Sequence, residues 1–155
     1  MIRGLMHHLV GTISVIFYFL NTVLWATPII ILSFFKLIPL APWRRFISYI
    51  LDACATAWIT INNLNQRVSS RTKWDVTGLD QLTRDDWYLV IANHQSWVDI
   101  LVLQRVFNRK IPFLKFFLKK ELIYVPMLGL AWWALDFPFM SRYSKSFLAK
   151  NPHLK

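Results

Sequence analysis

The 155-residue sequence predicts an α/β domain behind an N-terminal membrane helix or helical hairpin. Three observations carry that expectation. No Asp, Glu, Lys or Arg occurs between residues 4 and 35. From residue 74 onward, short apolar runs of strand length alternate with helix-like segments, the pattern of a layered α/β domain. Apolar residues make up 55% of the chain, above the roughly 45–50% of an average soluble protein, which points towards lipid.

In chain order, residues 9–32 are predicted to form a transmembrane helix, since about 20 apolar residues cross a bilayer core. Pro28 either kinks that helix or marks the turn of a re-entrant hairpin. A signal peptide would have an apolar core of about 7–15 residues ending at a small-x-small site. This run is longer and lacks such a site. His7 and His8 belong at the interface; adjacent helical residues point to different sides and do not chelate one metal. Lys36, Arg44 and Arg45 place the C-terminal side of the run in the cytoplasm under the positive-inside rule. Arg3 is positive as well, so the hairpin stays open. Residues 1–39 are accordingly the membrane anchor, and residues 40–155 the domain that follows.

Residues 40–66 read as a second helix. Phe46, Ile50, Cys54, Ala57, Trp58 and Ile61 recur at three- and four-residue spacing as its apolar face. Pro42 suits its first turn. Whether this helix packs on the domain or lies in the interface, periodicity does not separate. Residues 65–73 are a polar connection. Residues 74–79 are a predicted strand and 83–86 a turn. Residues 87–92 are a continuous apolar run, as expected of a strand buried on both faces. A helix follows over 96–108, a strand over 111–117, a segment punctuated by Pro126 and Gly129, and a last strand over 137–140.

Composition excludes several function classes. Cys54 is the sole cysteine, so neither an internal disulfide nor a thiolate cluster can form. Its apolar neighbours mark it as core filler. Four glycines, at 4, 11, 78 and 129, cannot build a glycine-rich phosphate loop. The net charge of +10 suits either nucleic acid or an anionic lipid surface with anionic substrates. The apolar bias favours lipid, and no nucleic-acid-binding signature occurs. Six cations between Arg105 and Lys120 alternate with Phe107, Phe113, Phe116 and Phe117. That stretch is either a solvated face or a surface for anionic headgroups and the phosphates of an acyl carrier.

The chemistry concentrates in "ANHQSWVDILVL", residues 92–103. Ser96-x-x-Asp99 before an apolar run is a capping-box pattern, and Asp99 in the first turn complements the helix dipole. That explains Ser96 and Asp99 structurally. His94 is left over. It stands where a strand hands over to a helix, the ligand-binding edge of open α/β sheets, and its imidazole can accept a proton near neutral pH. An aspartate one turn into the helix can hold its other nitrogen. Spacing alone leaves a catalytic pair and a satisfied histidine equally open.

"NHQSWVD" resembles the first motif, N-H-x-x-x-x-D, of the glycerolipid (lysophospholipid) acyltransferase superfamily, which includes lysophosphatidate acyltransferases. "FLKKELIYVPMLGLAWWALDFPFMSR", residues 117–142, is similar to the family's next section. The resemblance runs over residues 74–145 and looks closest to a bacterial inner-membrane subgroup. It implies the first part of an α/β acyltransferase domain facing the cytoplasm. It implies His94 as general base and Asp99 as the residue orienting it, with no serine nucleophile, no metal and no cofactor. Asn93 and Arg142 would bind substrate, Arg142 holding the acceptor's phosphate in its planar fork. The donor would be acyl-CoA or acyl carrier protein, the acceptor a lysophospholipid or lysophosphatidate. The family's third motif, Glu-Gly followed by arginine, has no counterpart: Glu121 is the sole glutamate and Leu122 follows it. The expectation is therefore an anchor plus the first part of a longer enzyme, truncated after the second motif. The alternative is a non-catalytic membrane-associated fragment or interaction protein.

Overall fold

The computed structural model describes residues 2–70, 72–141 and 143. They are mostly helical. Helix α1 (Ile2–Ser33) runs unbroken through Pro28, so Pro28 is not a hairpin turn. The chain does reverse, but later: a 3₁₀ turn over Phe34–Leu37 leads into α2 (Ala41–Ser69), which carries a proline in its first turn. Trp43 Nε1 closes this corner by donating to the Phe35 carbonyl at 2.9 Å.

α1 and α2 pack antiparallel along much of their length. Asn65 Nδ2 meets Ser14 Oγ at 2.9 Å near one end. Asn21 Nδ2 donates to Asn62 Oδ1 at 2.8 Å and to the Trp58 carbonyl at 3.1 Å in the middle. Ala26 and Ile29 join Ile47, Leu51 and Ala55 near the corner. The buried row of α2 is Ile47, Leu51, Ala55, Ile59 and Asn62. That corrects the predicted face. The four-residue spacing is right, but the row that meets α1 is offset by one residue, and Phe46 is exposed. Ile50, Cys54, Trp58 and Ile61 lie half-buried on its flank. Cys54 packs partly buried against the core.

Helix α3 (Trp97–Phe107) lies against α2. Asn108 Nδ2 donates to Thr60 Oγ1 at 3.1 Å, and the Arg105 guanidinium stacks 4.2 Å above the Trp74 ring. A two-residue strand β1 (Leu118–Lys119) pairs in parallel with β2 (Phe139–Met140), in the register Leu118 to Phe139. Between them a 3₁₀ segment, Lys120–Tyr124, leads to α4 (Leu128–Ala134), which packs on α1. α4 ends in a Schellman motif with Asp136 in the left-handed region at φ 57°. Phe137 N donates to the Trp132 carbonyl and Asp136 N to the Trp133 carbonyl, both at 3.0 Å. Lys36 Nζ anchors this motif to the hairpin corner, bonding the Ala134 carbonyl at 2.9 Å and both Asp136 carboxylate oxygens at 2.7 Å. One core results, shared by α1, α2, α4 and Phe137.

The two expected strands at 74–79 and 87–92 are not formed among the described residues. Nor is the second burial-on-both-faces expectation met: Trp87, Leu89 and Ile91 are exposed, while Tyr88 and Val90 are half-buried. A strand covered on both sides needs neighbours to take up its N–H and C=O groups. No described strand lies beside this one. The strand expected over 111–117 is likewise irregular, with pairing starting at Leu118.

Candidate active site

The site forms where the irregular segment enters α3. Ser96 is the N-cap, with extended backbone (φ −151°, ψ 165°), and its side chain accepts from Val98 N at 3.3 Å. Asp99 closes the reciprocal half of the box: its Oδ2 accepts from Ser96 N at 2.7 Å and from Gln95 N at 2.6 Å. The predicted capping box is therefore present. The same oxygen stands 3.4 Å from His94 Nδ1. That is longer than an ordinary N–H···O bond, as catalytic pairs often are before substrate tightens them. Asp99 thus closes the cap and lies beside the imidazole at once. Its two backbone bonds fix the carboxylate, and the fixed carboxylate faces the imidazole.

The backbone N–H groups of Ser96 and Gln95, with a smaller contribution from His94, hold the Asp99 carboxyl below its ordinary value. A carboxyl depressed in the folded state stabilises the cap above its unfolded value of about 3.9. That stabilisation is lost as pH falls through the lower folded value. A carboxyl-carbon NMR titration should give Asp99 a midpoint below that of a model aspartate, with the Ser96 and Gln95 amides following the same curve. A midpoint at or above the model value contradicts this geometry.

With Nδ1 turned to Asp99, Nε2 is the ring nitrogen left on the far side from the carboxylate. The His94 side chain is 62% exposed and that of Asp99 31%, so the pair stands open to solvent. Asn93 is exposed beside it. Arg142, the expected phosphate ligand, lies outside the described residues.

Three residues beyond His94, Trp97 begins the wall of a half-open cavity of about 300 Å³ between α1, α2, α3 and α4. Its lining is almost wholly apolar: Ile29 from α1, Ala55 from α2, Ile100 and Leu101 from α3, Phe113 and Ala131 from further along. Sequence reading missed this cavity. The available signal was the spacing of Trp97, Leu101 and Gln104, which puts all three on one face of α3. That face alone does not reveal that α1 and α4 stop short of it.

The basic stretch divides. Arg105 and Lys115 are engaged inside the fold, Arg105 with Trp74 and with Gln66 Oε1 at 3.4 Å, Lys115 with Asp52 at 3.8 Å. Arg109, Lys110, Lys119 and Lys120 remain exposed. Phe113 and Phe116 pack against the core, whereas Phe117 is exposed.

The Acyltransferase family model matches residues 73–152, just over half of the chain and including the His94–Asp99 segment. No curated protein and no solved structure matches the chain. The match starts beyond the helical hairpin and runs through α3, the parallel strand pair and α4. With its residues extending over just over half of the sequence, the chain belongs to the Acyltransferase family.

Proposed function

We propose that this protein moves a fatty acyl group from an acyl thioester, acyl-CoA or acyl carrier protein, to the hydroxyl of a lysophospholipid or lysophosphatidate. The observation that carries the reading is the His94 Nδ1–Asp99 Oδ2 pair at 3.4 Å, on the segment that leads into Trp97 of the cavity wall. An acyl chain suits such a cavity. Ligand sites of about 300 Å³ and above, lined by apolar groups, bury most of their ligand.

The chemistry follows from the pair. The acceptor hydroxyl oxygen attacks the thioester carbonyl carbon while His94 Nε2 takes its proton. Asp99 stabilises the imidazolium that results and keeps the ring in the tautomer that leaves Nε2 free. The tetrahedral intermediate then collapses. The C–S bond breaks, the departing sulfur recovers the proton from His94, and the new ester carries the acyl group. Asn93, beside His94, contacts substrate, and Arg142 binds the acceptor's phosphate. Neither a metal nor a cofactor enters.

The hairpin supplies the membrane contact. Within Leu5–Leu37 an 18-residue window has a mean hydropathy of 2.0, and only 17% of that window is buried in the fold. Leu9, Ile13, Ile16, Leu20 and Leu24 form an exposed stripe along α1. At 1.5 Å per residue the helix is about 48 Å long, more than a hydrocarbon core requires. Packing of α2 against α1 supports a helical hairpin as the anchor, with Phe34, Phe35 and Leu37 exposed at its corner. The finer placement is an enzyme of a bacterial inner-membrane subgroup, with its site facing the cytoplasm.

A second reading, a non-catalytic membrane-associated interaction protein, is favoured by one observation, the full engagement of Asp99 Oδ2 in the α3 cap. One assay separates the two. The chain in phospholipid vesicles is given a long-chain acyl thioester and lysophosphatidate, and free thiol is followed together with diacyl product. The enzyme reading expects thiol release that requires the acceptor. Thiol release at the acceptor-free rate, with no diacyl product, supports the non-catalytic reading.

A further inference from the structure

α4 carries no charged, amide or hydroxyl side chain, and both of its faces are apolar. Leu128, Ala131 and Trp132 line the cavity on one side. Leu130 and Trp133, three residues apart and so on one face, are 53% and 50% exposed on the other. Tyr124 and Met127, just before the helix, are exposed as well. A helix apolar all round is either covered by protein or set in lipid, and protein covers α4 on one side only. The lack of charge extends past the helix: no Asp, Glu, Lys, Arg or His occurs in residues 122–135. Charges stand at the ends of that run. Lys119, Lys120 and Glu121 are exposed before it, and Asp136 pairs with Lys36 after it.

Depth follows from packing. Ala131 and Ala134 share one core with Ala26 and Ile29 of α1, so α4 sits level with that part of α1, inside the apolar stretch Leu5–Leu37. Around the same level Leu24 and Ile31 of α1 are exposed. Lys36 ties the end of α4 to the hairpin corner through the Ala134 carbonyl and Asp136. A bilayer interface that takes up α1 at this level therefore reaches α4 too. We propose that residues 122–135 form a second membrane contact, with Leu130 and Trp133 set in the interface and Lys119 and Lys120 on the phosphates of anionic lipid. Tyr124 and Trp133 suit the headgroup level, and lysine stems run along apolar surface while the ammonium reaches the phosphates. The inference rests on the reading of α1 as the membrane anchor, and extends membrane contact to the domain that holds His94.

The test uses the full chain in vesicles of phosphatidylcholine, alone or mixed with phosphatidylglycerol. Cys54→Ser removes the sole thiol. Leu130→Cys, Trp133→Cys, Ile13→Cys on α1 and Asp80→Cys in an exposed loop are then added one at a time and labelled with a fluorophore. Quenching by a nitroxide on the lipid chains is compared with quenching by aqueous iodide. Labels at 130, 133 and 13 should be quenched by lipid and shielded from iodide several-fold, relative to the label at 80. Lys119→Gln and Lys120→Gln should each weaken recovery of the chain on phosphatidylglycerol vesicles about fivefold, the weight of one cation at an anionic surface. Labels at 130 and 133 open to iodide, with 13 in lipid, overturn the inference and leave the hairpin anchor standing. Labels at 130 and 133 shielded from both quenchers overturn it as well, since protein then covers α4. A label at 13 open to iodide overturns the anchor reading and the inference together. Recovery unchanged in both lysine variants overturns the headgroup contact.

Discussion

His94→Ala is expected to lower acyl transfer by about 10²–10⁴-fold, the usual contribution of a general base. The imidazole is exposed and its one described contact is Asp99, so truncation removes little packing. Melting and vesicle binding should stay at wild-type levels. Asp99 needs a subtler replacement, because it also closes the α3 cap through Ser96 N and Gln95 N. Asp99→Asn keeps an oxygen able to accept those bonds but removes the charge that stabilises imidazolium. It should retain helix content and lose activity nearly as far as His94→Ala. Asp99→Ala should lose both, since it removes the acceptor that closes the α3 cap. The double variant His94→Ala/Asp99→Asn should be no worse than His94→Ala alone, since residues acting as a unit are not additive. Turnover retained in His94→Ala would sink the general-base assignment. Asp99→Asn with full activity would reduce Asp99 to a cap.

The largest structural effect is expected at Gly129. This buried glycine is the second residue of a short helix, and its N–H donates to the Val125 carbonyl at 2.8 Å. A Cβ here would fall on the carbonyl group of Ile123. That neighbour is backbone and cannot rotate aside, so α4 or the Lys120–Tyr124 segment must move. Ala131 and Ala134 on α4 belong to the core, and Leu128 and Ala131 line the cavity. Gly129→Ala should therefore destabilise the chain by about 1–3 kcal/mol and weaken acyl-chain binding with it. Gly11→Ala is the matched control. It lies on α1 with open space around it, and alanine is the better helix former by about 1 kcal/mol. Thermal unfolding of the two variants in detergent should move in opposite directions. An unchanged transition for Gly129→Ala would contradict the close packing of α4.

What was legible in the sequence, and what was not, divides by the range of the interactions. The apolar run of α1, the proline-started α2, the Ser96–Asp99 cap and the helix behind it could all be read from neighbouring residues, because propensity, capping and hydropathy act over one or two turns. The His94–Asp99 pairing belongs to the same class: five residues and a helix start suffice to bring the groups together. The row of α2 that meets α1 does not. Phe46, Ile50, Cys54 and Trp58 and the row Ile47, Leu51, Ala55 and Ile59 have the same period. Only the partner helix chooses between them, and it does so partly with a polar contact, Asn21 to Asn62.

The position of the chain reversal depended on the corner formed by Trp43 and Phe35 and on Lys36 reaching Asp136, a hundred residues away. Pro28 gave no information about it, because a proline can remain inside an apolar helix. The run 87–92 was apolar enough for a buried strand, yet burial is a property of neighbours, and none flanks it among the described residues. The cavity exists only where four helices meet. Sequence by itself thus determined the local features of this protein, the apolar α1, the cap and the His94–Asp99 contact. Tertiary structure alone decided which faces are covered and where the apolar space for a chain lies, because burial arises between segments that the sequence does not place side by side.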